Sequence, residues 1–515
     1  MPDGSSSSRA ADRVRQLVRA HGWLVAIAVA YLYVFPYFPK IRSANELPRI
    51  YLVKAIADDH GFAIDRGVAR WGSTSDVSPS GGHSYSNKAP GSSMLAAPAY
   101  AIARAVAGEP RLSVTMWICR LVAGIVPALG FLWLLWGFLA RFAPDPAVRR
   151  LVMVGYGLGS IAMVYAMLFF SHQLGAVCIA SAWILATDVA DKRRGVRAMA
   201  VAGALAGAAP LVDYQAVFAV LPIAVYMIVR WWGQPRREVL RLAAVAAIAA
   251  AIPIAILLAY HAVCFGSPWR TGYDASTSYA HFHQHGFLGI TGPHWDWFAG
   301  AMVQQRTGLI VLMPWLLLAI PGGFVLARSG QRGIALVGAS VAAIYVLFIS
   351  SINFWHGGWG IGPRYITVML PFVLPLVAAQ LQALRDRPVM LGAASGLVVA
   401  SVLVLTLAIA TFPYWHENLG NPLYDLTFRL LGDNLVAPNL ASAVGVAGIA
   451  GLLPYLALIA CVVGFAIVRA CGARGLGVAL LVAAMVIAGY RAFPSRGNTE
   501  RIYAFVRDAV ASPGM

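Results

Sequence analysis

Four ionisable side chains stand where chemistry could use them: Glu46 in "SANELPRIY", Asp76 and Lys88 in "SDVSPSGGHSYSNKAPG", and Arg364 in "WHGGWGIGPRY". A carboxylate can take a proton from a hydroxyl. An ammonium or guanidinium can hold a phosphate, the first as a point charge and the second through two parallel hydrogen bonds. Each has a plainer reading. Glu46 and Arg49 are spaced i,i+3, so an exposed ion pair worth a few tenths of a kcal/mol would explain both. Lys88 could reach lipid headgroups along an extended side chain. Its Pro–Gly turn argues for a fixed direction instead, because a snorkelling lysine needs no rigid turn. Arg364 after Gly362–Pro363 suits either a phosphate or an anchor at the membrane interface. Trp355 and Trp359 fit an interfacial aromatic belt ahead of sugar stacking. His172 in "FFSHQLG" suits a substrate hydrogen bond or, more simply, a cap at the interface.

The rest of the chain must carry these groups. Its 515 residues are 59% hydrophobic and 12% charged, far from the balance of a soluble domain. Apolar runs of roughly 18–25 residues recur, the length an α-helix needs to cross hydrocarbon. The chain therefore reads as an all-α polytopic membrane protein. About thirteen spans are expected at about 20 residues each, near 22–39, 112–138, 151–169, 173–190, 196–212, 214–232, 240–260, 308–327, 333–352, 365–384, 389–410, 442–468 and 476–490. Residues 93–107 and 499–510 read as amphipathic helices on the membrane surface. No internal repeat is evident.

The net charge of +18 does not point to nucleic acid, because the basic residues cluster in short turns between apolar runs. Arg141, Arg149 and Arg150, Lys192–Arg194 with Arg197, Arg230, Arg236 and Arg237, Arg328 and Arg332, Arg385 and Arg387, and Arg469 and Arg474 mark the cytoplasmic side. Residues 1–21 form a basic cytoplasmic tail with Arg9, Arg13, Arg15 and Arg19, and no small-residue cleavage site follows, so the first helix is expected to be retained. The membrane module spans 22–490, its outer loops are 40–111, 261–307, 353–364 and 411–440, and 491–515 is an outer tail. Chemistry is expected outside, where the His, Trp–Gly clusters and carboxylates collect. Five cysteines lack paired spacing and imply neither disulfides nor zinc. "HFHQH" places His281, His283 and His285 at spacing two, yet no fixed carboxylate accompanies them, so no metal ligand set is assigned. No nucleotide loop or dinucleotide fingerprint is present.

In the first outer loop, Asn45 is expected to cap a helix that opens with Glu46, carries Ile50, Val53, Ile56 and Ala57 as a stripe and ends at Gly61. An acidic residue soon after helix one, an amphipathic helix, and a Lys-x-Pro turn before a surface helix together resemble the GT-C superfamily of membrane glycosyltransferases, including the protein O-mannosyltransferases and the aminoarabinose transferases. Residues 264–274, 286–300, 355–365 and 421–426 resemble GT-C outer loops in the same order. The resemblance implies a GT-C-like bundle in the bacterial inner membrane that moves a sugar from a polyprenyl-phosphate donor to a glycan, lipid or protein acceptor of the envelope, with inversion. By that likeness Glu46 is the base, with Asp76 or Asp65 as alternatives because Asn45–Glu46 stands where the family has Asp–Glu. Lys88 and Arg364 hold the donor phosphate, while Arg49, Tyr85, His172, Trp355 and Trp359 touch substrate. No organic cofactor is implied. A flippase or small-solute transporter is the alternative, and a non-catalytic scaffold a third reading.

Overall fold

The structure is a computed structural model that describes residues 21–278, 280–283, 285–287 and 289–512. The expected basic tail at 1–20 lies outside the described residues. Apart from one two-stranded hairpin and isolated bridges, the described residues form helices and connecting turns. Among the described residues, eight helices are long and apolar enough to cross a membrane. The pair Pro146–Leu158 and Ile161–Met167, bent by 52°, passes the same test as one span, and His21–Tyr33, Val196–Val212 and Pro314–Arg328 are shorter apolar helices. Gly448–Gly489 breaks at Gly472, which has a left-handed φ of 70°. Counting its two halves separately gives the thirteen segments that the apolar runs predict. The chain is thus an all-α, multi-pass membrane protein.

Packing between helices relies on close approach. In Val196–Val212, Gly203 and Gly207 lie one helical turn apart, and a Cβ on either would stand 2.2 or 2.3 Å from the carbonyl oxygen of Ala246 or Ala250 in Arg236–Phe265. Small residues at this spacing let two helix backbones touch where burial from water gives no driving force.

The first long loop, expected outside, is more built than its turn-rich sequence suggests. Glu46–Asp58 is buried through its first ten residues rather than lying flat with one wet face. Asn45 does not cap it through its side chain; it takes a helical backbone and gives its side-chain and backbone oxygens to Arg49 Nη1, at 2.6 and 2.9 Å. The helix stops at Asp58, with His60 left-handed at φ 51°, before Gly61 is reached. After Asp65–Trp71, strands Val77–Ser80 and His83–Ser86 pair through a turn at Gly81–Gly82. The Lys88–Pro90 turn leads directly into Gly91–Ala107, whose Ala96, Ala97 and Tyr100 are buried while Ile102 and Val106 face outward.

At the opposite end of the bundle Arg141 pairs with Asp188 and Asp191, Arg194 with Asp188, and Arg230 with Asp191. These residues lie in or beside the turns expected on the cytoplasmic side. Thr499–Ala511 is a helix, but its buried side is Ile502, Tyr503, Val506 and Ala509. Phe505 is exposed and lies edge-on to Trp359.

Candidate functional site

The segments expected outside converge on one cavity of about 1110 Å³. Asn45 reaches it from the first loop, Asp76 and Lys88 from the hairpin, Asp213 from the end of Val196–Val212, Tyr273 and Arg306 from the middle loops, and Trp355, Trp359 and Arg364 from the glycine-rich loop.

Lys88 does not snorkel. Its ammonium lies 2.9 Å from Asp76 Oδ1 and 3.5 Å from the Tyr273 hydroxyl, 5.0 Å from that ring's centroid. The hairpin enforces this: Asp76 is followed by the first strand and Lys88 follows the second, and the Ser78 hydroxyl donates to the Gly272 carbonyl at 2.7 Å, tying the hairpin to the Tyr273 segment. A lysine has three N–H donors, so these contacts still leave one for a ligand in the cavity.

Arg364 opens the 3₁₀ helix Arg364–Met369 and lines the same cavity. No carboxylate is paired with it among the described residues: Nη1 is 3.4 Å from the Trp359 oxygen, the guanidinium is 5.2 Å from the Phe170 ring and 5.3 Å from the Tyr365 ring, and it hydrogen-bonds to the Tyr365 side chain. Its buried Nε has no hydrogen-bond partner among the described residues. Such a cation is ready for an anion. Arg306 donates to the Gly358 carbonyl at 2.8 Å, and burial pulls its pKa down to about 10.

Glu46 is not in the cavity wall. It is completely buried and every oxygen is occupied: Oε1 accepts from Arg120 Nε at 2.9 Å and the Phe169 amide at 2.7 Å, Oε2 from Arg120 Nη2 at 3.1 Å and the Tyr414 hydroxyl at 2.5 Å. Burial opposes its charge, but Arg120 prevails and holds the carboxyl below its ordinary range. The expected Glu46–Arg49 pair is not formed. Arg49 bridges Asn45 to the Ser171 hydroxyl, 2.6 Å from Nη2, and so braces the first loop against the bundle without lining the cavity. Tyr85 also lies away from the cavity wall, its ring against His83 and Phe265. Asp65 accepts from the Ser84 amide and faces His83 outside the cavity.

Arg120 is the partner that reading by loops missed, and it had a signal. It is an arginine inside the apolar run Leu112–Leu139, immediately before a π-helical turn at Leu121–Ile125. Charges within spans and π-bulges both mark sites of special function or packing.

His172 neither caps the interface nor reaches the cavity wall. It is the first residue of His172–Ala190, enclosed by Tyr165, Phe170 and Tyr365, with Nδ1 2.8 Å from Asp213 Oδ2. Trp355 and Trp359 do line the cavity, and Trp359 lies 4.5 Å from the His416 ring. "HFHQH" falls partly outside the described residues, and among the described residues no three His, Cys, Asp or Glu side chains are grouped to hold a metal ion.

His356 fixes its own tautomer. Its Nδ1 accepts from the Gly358 amide at 3.1 Å, so the 3.4 Å approach of Glu417 is not an ion pair. Burial, with Arg306 and Arg364 nearby, lowers its pKa to about 4. The unfolded chain would bind this proton near pH 6.5, so the folded state loses stability as pH falls from about 6.5 toward 4. His356→Gln is expected to flatten that part of the unfolding curve, measured by thermal melts across the range.

This fold, a bundle of spanning helices with its first long loop folded over a polar cavity at one end, has counterparts among solved structures. Two solved structures share it: ArnT from Cupriavidus metallidurans in the apo state, with a TM-score of 0.50 and 16% identity over 98% of this chain and 78% of that one, and the same protein bound to undecaprenyl phosphate, with 0.50 and 15% over 95% and 78%. No family model matches the chain, and no curated protein matches it in sequence.

Proposed function

We propose that this chain is a membrane glycosyltransferase that transfers a sugar from a polyprenyl-phosphate donor to a hydroxyl of a cell-envelope acceptor, with inversion. The observation that carries this reading is the placement of Lys88 and Arg364, two cations with hydrogen-bonding capacity to spare, on the wall of one cavity that also holds carboxylates. The ArnT of the same fold binds undecaprenyl phosphate, a ligand of the chemistry these cations suit.

A sugar linked to polyprenyl phosphate is a phosphodiester with one negative charge. As the bond from the anomeric carbon to the phosphate oxygen breaks, its electron pair goes to that oxygen and the phosphate gains a second charge. Lys88 and Arg364 stabilise that increase more than the ground state, which is the condition for accelerating the step. The acceptor oxygen attacks from the face opposite the phosphate, and its proton passes to a carboxylate of the cavity. Glu46, sealed behind Tyr414, does not serve. Trp355 and Trp359 offer flat faces for the sugar.

The direct test incubates purified protein with a panel of polyprenyl-phosphate sugars and measures release of free polyprenyl phosphate. Release from one member supports the reading, and none from any member ends it. Asp76→Asn is expected to weaken donor binding by about tenfold, because the carboxylate that aims the Lys88 ammonium is lost; titration of the donor analogue undecaprenyl phosphate reads this.

The cavity is assigned to the outer side of a bacterial plasma membrane and the basic turns to the cytoplasm, following the charge bias. With exposed Cys461 replaced by Ser, a Ser73→Cys protein should react with an impermeant maleimide on intact spheroplasts and a Ser329→Cys protein only after lysis. The reverse pattern would invert the topology.

A further inference from the structure

Three carboxylates line the cavity, and their surroundings differ. Asp76 is ion-paired to Lys88 at 2.9 Å, so its Oδ1 is already engaged by a cation. Glu417 is 37% exposed at the side chain and meets only the lone-pair side of His356. Asp213 is buried, lines the cavity, and has His172 as the partner of its Oδ2 at 2.8 Å. A carboxylate can only accept, so Nδ1 of His172 carries the proton. The Nε2 at the other side of the ring is buried without a partner among the described residues, an arrangement that costs stability and calls for a reason.

Local structure holds this pair firmly. The Asp213 amide donates to the Ala209 carbonyl at 2.8 Å, and its own carbonyl accepts from Ala216 at 2.9 Å. Gly175, three residues after His172, lets the aspartate lie against the helix: a Cβ there would stand 2.9 Å from that of Asp213. Rings of Tyr165, Phe170 and Tyr365 fix the imidazole plane.

We propose that Asp213 is the general base of the transfer, with His172 as its positioning residue. The proposal rests on the sugar-transfer reading above. In the step, the acceptor O–H proton moves to Asp213 as the oxygen forms its bond to the anomeric carbon, and the electron pair of the broken carbon–oxygen bond leaves on the lipid phosphate. Asp213 releases the proton to water in the cavity after product leaves. His172 donates one hydrogen bond to Oδ2, which leaves Oδ1 as the oxygen that takes the proton.

The test uses the full-length protein with a donor on which wild type turns over. Asp213→Asn is expected to lower kcat by about 10²-fold or more, the usual yield of general-base help, with donor Kd changed less than threefold. Asp213→Glu keeps a carboxylate in the pocket and guards against misfolding; it should recover part of kcat. His172→Ala should lower kcat about tenfold at constant KM, and His172→Asn, whose amide can donate in place of Nδ1, should recover most of that loss; a purely packing role predicts no rescue. Wild-type turnover together with an Asp213→Asn kcat within threefold of wild type, or a loss lying wholly in donor Kd, overturns this assignment alone. Wild type that turns over no donor overturns the sugar-transfer reading together with it.

Discussion

Glu46→Gln is expected to destabilise the protein by about 3–5 kcal/mol, the usual cost of removing one partner from a buried ion pair. Arg120 would keep its charge with nothing of opposite sign beside it, and the Tyr414 hydroxyl would lose the acceptor it meets at 2.5 Å. A thermal melt of the detergent-solubilised protein reads the loss. Glu46→Gln with Arg120→Leu should regain much of it, because a neutral pair leaves no buried charge. Turnover per folded molecule should fall less than tenfold, since the carboxylate does not line the cavity. A Glu46→Gln protein that melts like wild type but is inert would return the base to Glu46. The pH dependence has a definite sign. The folded pKa lies below its ordinary value of about 4.5, so the stabilisation is fully present above that pH and is lost as pH falls through the folded value.

The second large effect is on donor binding. Lys88→Ala is expected to weaken binding of undecaprenyl phosphate by about 10²-fold, in line with about 2–5 kcal/mol for deleting one member of a buried hydrogen-bonded charge pair. Arg364→Ala should weaken it comparably. Lys88→Ala also leaves Asp76 without its cation, so part of its cost is structural. Lys88→Gln with Asp76→Asn separates the two: the neutral pair keeps a hydrogen bond, stability returns and donor affinity does not. Affinity that returns with stability would make Lys88 a strut of the hairpin and would remove it from the phosphate site.

Both predictions turn on one difference between neighbouring loops. Glu46 and Lys88 both belong to the loop expected outside, yet one is the buried partner of a helix arginine and the other part of a cavity wall. The i,i+3 spacing of Glu46 and Arg49 pointed to a surface pair. What overrode it was burial of both side chains, which gave each a different partner: Arg120, 74 residues away, for Glu46 and Ser171, 122 residues away, for Arg49. A span arginine was visible as an anomaly, but nothing local said which carboxylate it would find. The same holds for Asp213, unremarkable at a helix end until His172 and the cavity come to it.

What the sequence by itself determined is the part governed by short range and by solvent. Apolar length determined the thirteen helical segments found among the described residues. Only the tertiary structure decided which charges see a ligand and which are spent on each other. Helices are specified by a few consecutive residues and the surrounding lipid, whereas ionic partners are chosen among all groups that burial brings within a few ångströms, and chain separation plays no part in that choice.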